Sequence, residues 1–131
     1  MNKLILIGAI SWGLFSCSNE EEKVYLTLNE EVLKMHDQLM PKTESLVSLE
    51  GKLVELEKGA DSVHVKKLKI ALKKADGAMM DWMHGYSLDS LEKMDIPTKI
   101  SYLSQQLTIL KSIQNQTDST LKAAQEYVNK K

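Results

Sequence analysis

The chain has 131 residues, of which 43% are hydrophobic and only 5% are aromatic, and its formal charge at neutral pH is -1. All 17 of its basic residues are lysine. The near-zero charge argues against a nucleic-acid partner. The lack of arginine argues in the same direction, because its planar guanidinium group is the one that most often binds phosphates. A core with so few aromatic residues must be built from aliphatic side chains and methionine, which favours packed helices.

Residues 1–16 predict a lipoprotein signal peptide. Lys3 supplies a positive charge, and the apolar stretch over residues 4–15 is too short to span a bilayer. The stretch ends in Leu-Phe-Ser-Cys at residues 14–17, which resembles a bacterial lipobox. The alternative is an ordinary secretory signal followed by a chance cysteine. Because Cys17 is the only cysteine in the chain, we expect it to carry a lipid anchor and to contact the membrane through it.

Residues 17–23 predict a lipidated cysteine followed by an acidic tether. The segment Ser-Asn-Glu-Glu-Glu at residues 18–22 is similar to the signal that exports Bacteroidota lipoproteins to the cell surface. Runs of charge are more commonly solvated linkers, which would leave the protein facing the periplasm. We expect an outer-membrane lipoprotein of the cell envelope, and both faces of that membrane stay open.

Residues 24–131 predict one all-α domain made of three long helices. Helix A is expected over residues 24–58, helix B is centred on residues 65–86, and Pro97 opens helix C. Each carries apolar residues at alternating steps of three and four, the pattern of coiled-coil-like packing. Pro41 either kinks helix A or breaks it into two helices, and the unbroken apolar frame favours a kink. The sequence predicts an elongated antiparallel three-helix bundle, up-down-up, with its first helix kinked at Pro41.

The short turn near Gly59 lets the facing residues of helices A and B be predicted. Glu50 should face Lys69, which places opposite charges together. Further from the turn, His36 should face Met83.

The part of the predicted bundle where His36 faces Met83 is rich in methionine and histidine. Thioether and imidazole ligands together favour Cu(I) among the biological metals. The more ordinary explanation is that methionine fills the core and that a histidine near a helix C-terminus is favoured by the helix dipole. We therefore expect no cofactor, with Cu(I) as the alternative. The candidate ligands are His36, Met40, Met80, Met83 and His84.

No arrangement of residues predicts catalysis. The sequence has no recognisable Ser-His-Asp set, no glycine-rich phosphate loop and no Glu-x-x-His pair of a di-iron bundle. We therefore expect a protein that is not an enzyme.

Three Asp-Ser pairs are similar to the short O-glycosylation sites of Bacteroidota envelope proteins. The same pairs are also ordinary helix-capping chemistry. The candidate modified residues are Ser62, Ser90 and Ser119.

Two segments carry a family resemblance. They are Met-His-Asp-Gln-Leu-Met-Pro-Lys at residues 35–42 and Ala-Asp-Gly-Ala-Met-Met-Asp-Trp-Met-His at residues 75–84. Together with the lipobox they resemble a group of small Bacteroidota lipoproteins of unknown function, which often carry the label "viral A-type inclusion protein". The label reflects coiled-coil composition, and we attach no viral role to it. The resemblance covers most of the chain after Cys17 and implies a helical envelope lipoprotein, with no catalytic residue to transfer.

These observations predict a membrane-anchored, non-catalytic binding or structural module with an unidentified protein or glycan partner. The first alternative is a lipoprotein that binds a soft metal such as Cu(I) between helices A and B. Self-association through an exposed apolar seam is a further alternative, and the sequence leaves the oligomeric state open.

Overall fold

The computed structural model describes residues 17–57 and 62–131, and within them it contains four α-helices and no β-strand. The helices are α1 (Cys17–Leu56), α2 (Ser62–Gly85), α3 (Leu88–Glu92) and α4 (Ile96–Asn129). The three long helices contact one another pairwise, and the short α3 adds the buried Leu91 to the core. The predicted all-α fold is confirmed. In this part of the chain, no helix combines the length and the apolar character needed to cross a membrane.

The first helix begins earlier than the sequence predicts. We expected helix A from residue 24, whereas α1 begins at Cys17, so the predicted acidic tether is helical. Glu20 lies in the first turn, where a negative charge interacts favourably with the helix dipole, and its Oε1 atom lies 3.1 Å from Nζ of Lys23. Residues 19–23 are exposed. The predicted signal peptide, residues 1–16, lies outside the described residues.

Helix α1 continues through Pro41, so one helix replaces the two that a break would have produced. A proline inside a helix removes one backbone N–H donor and leaves a carbonyl without its usual partner. Two hydroxyl groups donate to carbonyls beside the proline: Oγ1 of Thr43 to Met40 at 2.7 Å, and Oγ of Ser45 to Pro41 at 3.2 Å. Pro41 itself is exposed, so its ring lies on the solvent side of α1.

Two short polar caps fix the connection between α2 and α4. The backbone N–H of Ser90 donates to Oγ of Ser87, which caps α3. The backbone N–H of Thr98 donates to Oδ1 of Asp95 at 2.9 Å, so Asp95 caps α4. Hydrogen bonds from Thr98 hold the pKa of Asp95 below its ordinary value. Helix α4 therefore begins at Ile96, one residue before Pro97.

The core is divided into two apolar clusters along the bundle. The first includes Leu39, Met79 and Leu103, and the second includes Leu46, Leu72 and Leu121. Three buried threonines lie between the clusters in the chain: Thr43 follows Leu39 on α1, and Thr117 and Thr120 precede Leu121 on α4. Nζ of Lys42 donates to Oδ1 of Asp118 beside them. A polar layer therefore separates the two halves of the core.

The ion pairs between α1 and α2 differ from the predicted pairing. Lys69 pairs with Glu57, with Nζ and Oε2 2.7 Å apart, and Glu50 pairs with Lys73 at 3.3 Å. The predicted partner of Glu50, Lys69, is thus replaced by a lysine one helical turn further along α2. A lysine side chain is long enough to reach past one turn, about 5.4 Å, so backbone register alone does not decide which ions meet.

Candidate functional site

An open groove lies where the first half of α1 meets the end of α2 and the following connection. Its volume is about 570 Å³. Helix α1 contributes Leu33 and His36, and α2 contributes Trp82, Met83 and His84. Residues of the connection complete the lining: Tyr86, Ser87, Leu88 and Asp89.

Stacked aromatic rings give the groove a rigid base. The ring of Trp82 stacks on Tyr86 with 4.9 Å between centroids, and Tyr86 stacks on Tyr102 of α4 at 6.0 Å. The His36 ring lies 6.0 Å from the Trp82 ring, tilted by 38°. Nε1 of Trp82 donates to Oε1 of Gln106 at 2.9 Å, which fixes the rotation of the indole. The position of the His36 ring is therefore defined by a packed neighbour.

The phenol group of Tyr86 is desolvated at this base. Its oxygen is buried and has no hydrogen-bond partner among the described residues. Burial, followed by the nearby Tyr102 and Tyr25, raises the pKa of Tyr86 above its ordinary value. The group therefore stays protonated at neutral pH and acts as part of the packing.

His36 is oriented by a carboxylate. Its Nδ1 atom lies 3.0 Å from Oδ1 of Asp37, the next residue of α1. When Nδ1 carries the proton and its N–H donates a hydrogen bond to Oδ1 of Asp37, Nε2 is left with a free lone pair. Since His36 lines the groove, this tautomer offers a nitrogen ligand there.

The structure brings three of the five predicted metal ligands to one place. His36, Met83 and His84 all line the groove. Met40 and Met80 do not line it: Met40 packs against the first core cluster, and Met80 is half-buried on α2. The difference is one of height, since Met40 and Met80 lie three or four residues, about one helical turn of 5.4 Å, from His36 and Met83 along their helices.

Among the described residues, no group of three histidine, cysteine, aspartate or glutamate side chains could hold a metal ion. A metal site at the groove would therefore need the thioether of Met83 as a ligand. This requirement restricts the candidate metals to soft ions.

The sequence did not point to the residues of the connection as part of a site. Ser87, Leu88 and Asp89 follow closely on the end of α2 at Gly85 and line the groove together with residues of α1. The side chain of Leu88 is 56% exposed at the groove. The only local signal was Ser87, a residue type that caps helices, directly after Tyr86, which follows the last residue of α2.

The three predicted glycosylation serines occupy different settings. Ser62 begins α2, and its neighbour Asp61 lies outside the described residues. Ser90 lies in α3, where its Oγ is 2.9 Å from Oγ of Ser87. Ser119 lies within α4, and its hydroxyl donates to the carbonyl of Gln116. Ser90 and Ser119 are exposed, and modification of the three stays a prediction.

A row of exposed apolar side chains runs along α1. These side chains are 45–58% exposed and lie at multiples of seven residues from one another: Leu26, Leu33, Val47 and Val54. Residues seven apart share one face of a helix. This row is the surface that the predicted self-association would use.

Comparison of the chain with protein-family models, with curated proteins and with solved structures gives no match.

Proposed function

We propose that this chain is a lipid-anchored lipoprotein of a bacterial outer membrane and that its helical domain is a non-catalytic binding module. The observation that carries the proposal is the continuity of α1, which runs from Cys17 to Leu56 without a break. The residue proposed to carry the lipid begins the same helix that supplies Leu33 and His36 to the groove. At 1.5 Å per residue, His36 lies about 28 Å along α1 from the anchor.

We infer that the three long helices form an antiparallel up-down-up bundle, with a bend in α1 at Pro41. Contacts at both ends of the α1 and α2 pair support this arrangement. Glu57 meets Lys69 close to the link between the two helices, and His36 meets Trp82 far from it. Such a bundle would place the anchor and the α2–α4 connection at the same end, so that the groove opens on the membrane-proximal half.

The lipid anchor can be tested with a single substitution. In a Bacteroidota host grown with a radiolabelled fatty acid, the wild-type protein should incorporate label and partition into the detergent phase of a Triton X-114 extraction. Cys17→Ser should abolish both properties, because the thioether to the lipid cannot form. The matched control is Asn19→Ala, which should behave as the wild type. A Cys17→Ser protein that still incorporates label would overturn the proposal.

The same strains also show on which face of the outer membrane the helical domain lies. If residues 18–22 act as an export signal, externally added protease should digest the protein on intact cells. Replacement of Glu20, Glu21 and Glu22 by alanine should then protect it while lipid incorporation is retained. Protection of the wild-type protein would place the domain in the periplasm.

A further inference from the structure

We propose that the groove is a Cu(I) site whose ligands are His36, Met83 and His84. This inference names the ligand of the proposed binding module and therefore rests on that module. The three side chains come from two helices and line the same cavity. Imidazole nitrogen and thioether sulfur form a soft donor set, which suits Cu(I) and disfavours Mg²⁺ or Ca²⁺, whose ligands are oxygen atoms.

The surroundings of the three ligands favour a positively charged occupant. Asp89 lines the groove, Asp37 contacts Nδ1 of His36, and no lysine is among the groove's described lining residues. A carboxylate on the far nitrogen of a histidine orients the ring and strengthens the other nitrogen as a ligand. Trp82 also lines the cavity, and an indole ring attracts a cation that lies over its face.

The structure also separates the proposed ligands from two other methionines on the same helices. Met40 and Met80 belong to the set of predicted metal ligands but do not line the groove. Each is half-buried, as Met83 is. They are therefore matched controls for any effect that comes only from removing a sulfur atom.

The proposal is tested by titrating the full-length protein, purified in detergent, with Cu(I) under ascorbate against a chromophoric Cu(I) chelator. The wild-type protein should take one Cu(I) from the chelator. Met83→Leu and His36→Gln should each weaken binding by about tenfold or more, because each removes a ligand. Met40→Leu and Met80→Leu should bind as the wild type does. Leucine for methionine nearly conserves volume, so these variants keep the packing.

A second measurement on the wild-type protein guards against a variant that fails to fold. With methionine labelled by ¹³C at the methyl group, redox-inert Ag(I) should shift the Met83 resonance and leave that of the buried Met79 unchanged. Failure of the wild type to compete with the chelator, or equal losses in Met80→Leu and Met83→Leu, would overturn the copper proposal. Neither result bears on lipid incorporation at Cys17, so failure of the copper site and failure of the anchor are distinguishable.

Discussion

The indole nitrogen of Trp82 donates a hydrogen bond to Oε1 of Gln106 at 2.9 Å, and this bond joins α2 to α4 beneath the groove. Trp82 is buried, with 8% of its surface exposed, whereas Gln106 is half-buried. Because Trp82 also contacts the His36 and Tyr86 rings, the bond holds a shared aromatic layer in one orientation. The same bond gives the buried indole N–H an acceptor, which it would otherwise lack because packing excludes water from it.

Removal of the acceptor should therefore be costly. Gln106→Leu leaves the buried indole N–H without a partner, and we expect the free energy of unfolding to fall by about 1–3 kcal/mol. Urea denaturation followed by tryptophan fluorescence measures the loss. The neighbouring Gln105 is exposed, so Gln105→Leu should change stability by less than about 0.5 kcal/mol. Equal effects of the two variants would mean that the bond contributes nothing.

In the polar layer between the two core clusters, we expect a substitution to raise the free energy of unfolding instead of lowering it. Thr117 is 1% exposed, and its hydroxyl has no partner among the described residues. Valine has nearly the same shape without the hydroxyl, so Thr117→Val should raise the free energy of unfolding by about 1 kcal/mol. The increase should appear as a higher urea midpoint with an unchanged slope.

The control for this substitution is Thr108, which is exposed on the same helix and donates its hydroxyl to the carbonyl of Ser104. Thr108→Val should leave the midpoint almost unchanged. If Thr117→Val lowers the midpoint, the hydroxyl has a partner, such as a bound water, whose loss outweighs the relief of desolvation.

The apolar periodicity of α2 shows why the fold class could be predicted. Val65, Leu72 and Met79 share one row and are all buried, because side chains spaced by one heptad lie on the same face of a helix. The heptad spacing of buried residues depends only on helix geometry. It can therefore be recognised in the sequence without knowing which residues of the other helices pack against them.

Features that depend on side-chain reach could not be predicted in the same way. Glu50 was assigned to Lys69 from backbone register, but its partner is Lys73, because long flexible side chains select among several nearby ions. The groove shows the same limit. His36 and Met83 were correctly expected at one level, whereas the contribution of Asp89 depends on how the connection after α2 folds back, and its residues carry no periodic signal.

The ion pair between Glu57 and Lys69 should make stability depend on acid pH. The hydrogen bond from Lys69 is the main cause that lowers the pKa of Glu57 below its ordinary value of 4.5, against a smaller opposing effect of desolvation. A carboxyl group whose pKa is lower in the folded state stabilises that state above its ordinary pKa. The contribution is lost as the pH falls through the lower, folded value.

Glu57→Gln should remove this contribution, so the variant should be less stable than the wild type at neutral pH and should converge with it in acid. The measurement is the urea midpoint at neutral pH and at a series of lower pH values that passes through and well below the ordinary pKa of the carboxyl group. Glu55→Gln is the matched control, because Glu55 lies in the last turn of α1, two residues before Glu57, and is exposed. Its pH profile should run parallel to that of the wild type. If the Glu57→Gln profile is parallel as well, the pair contributes no pH-dependent stability, because screening and the entropy of two long side chains cancel its attraction.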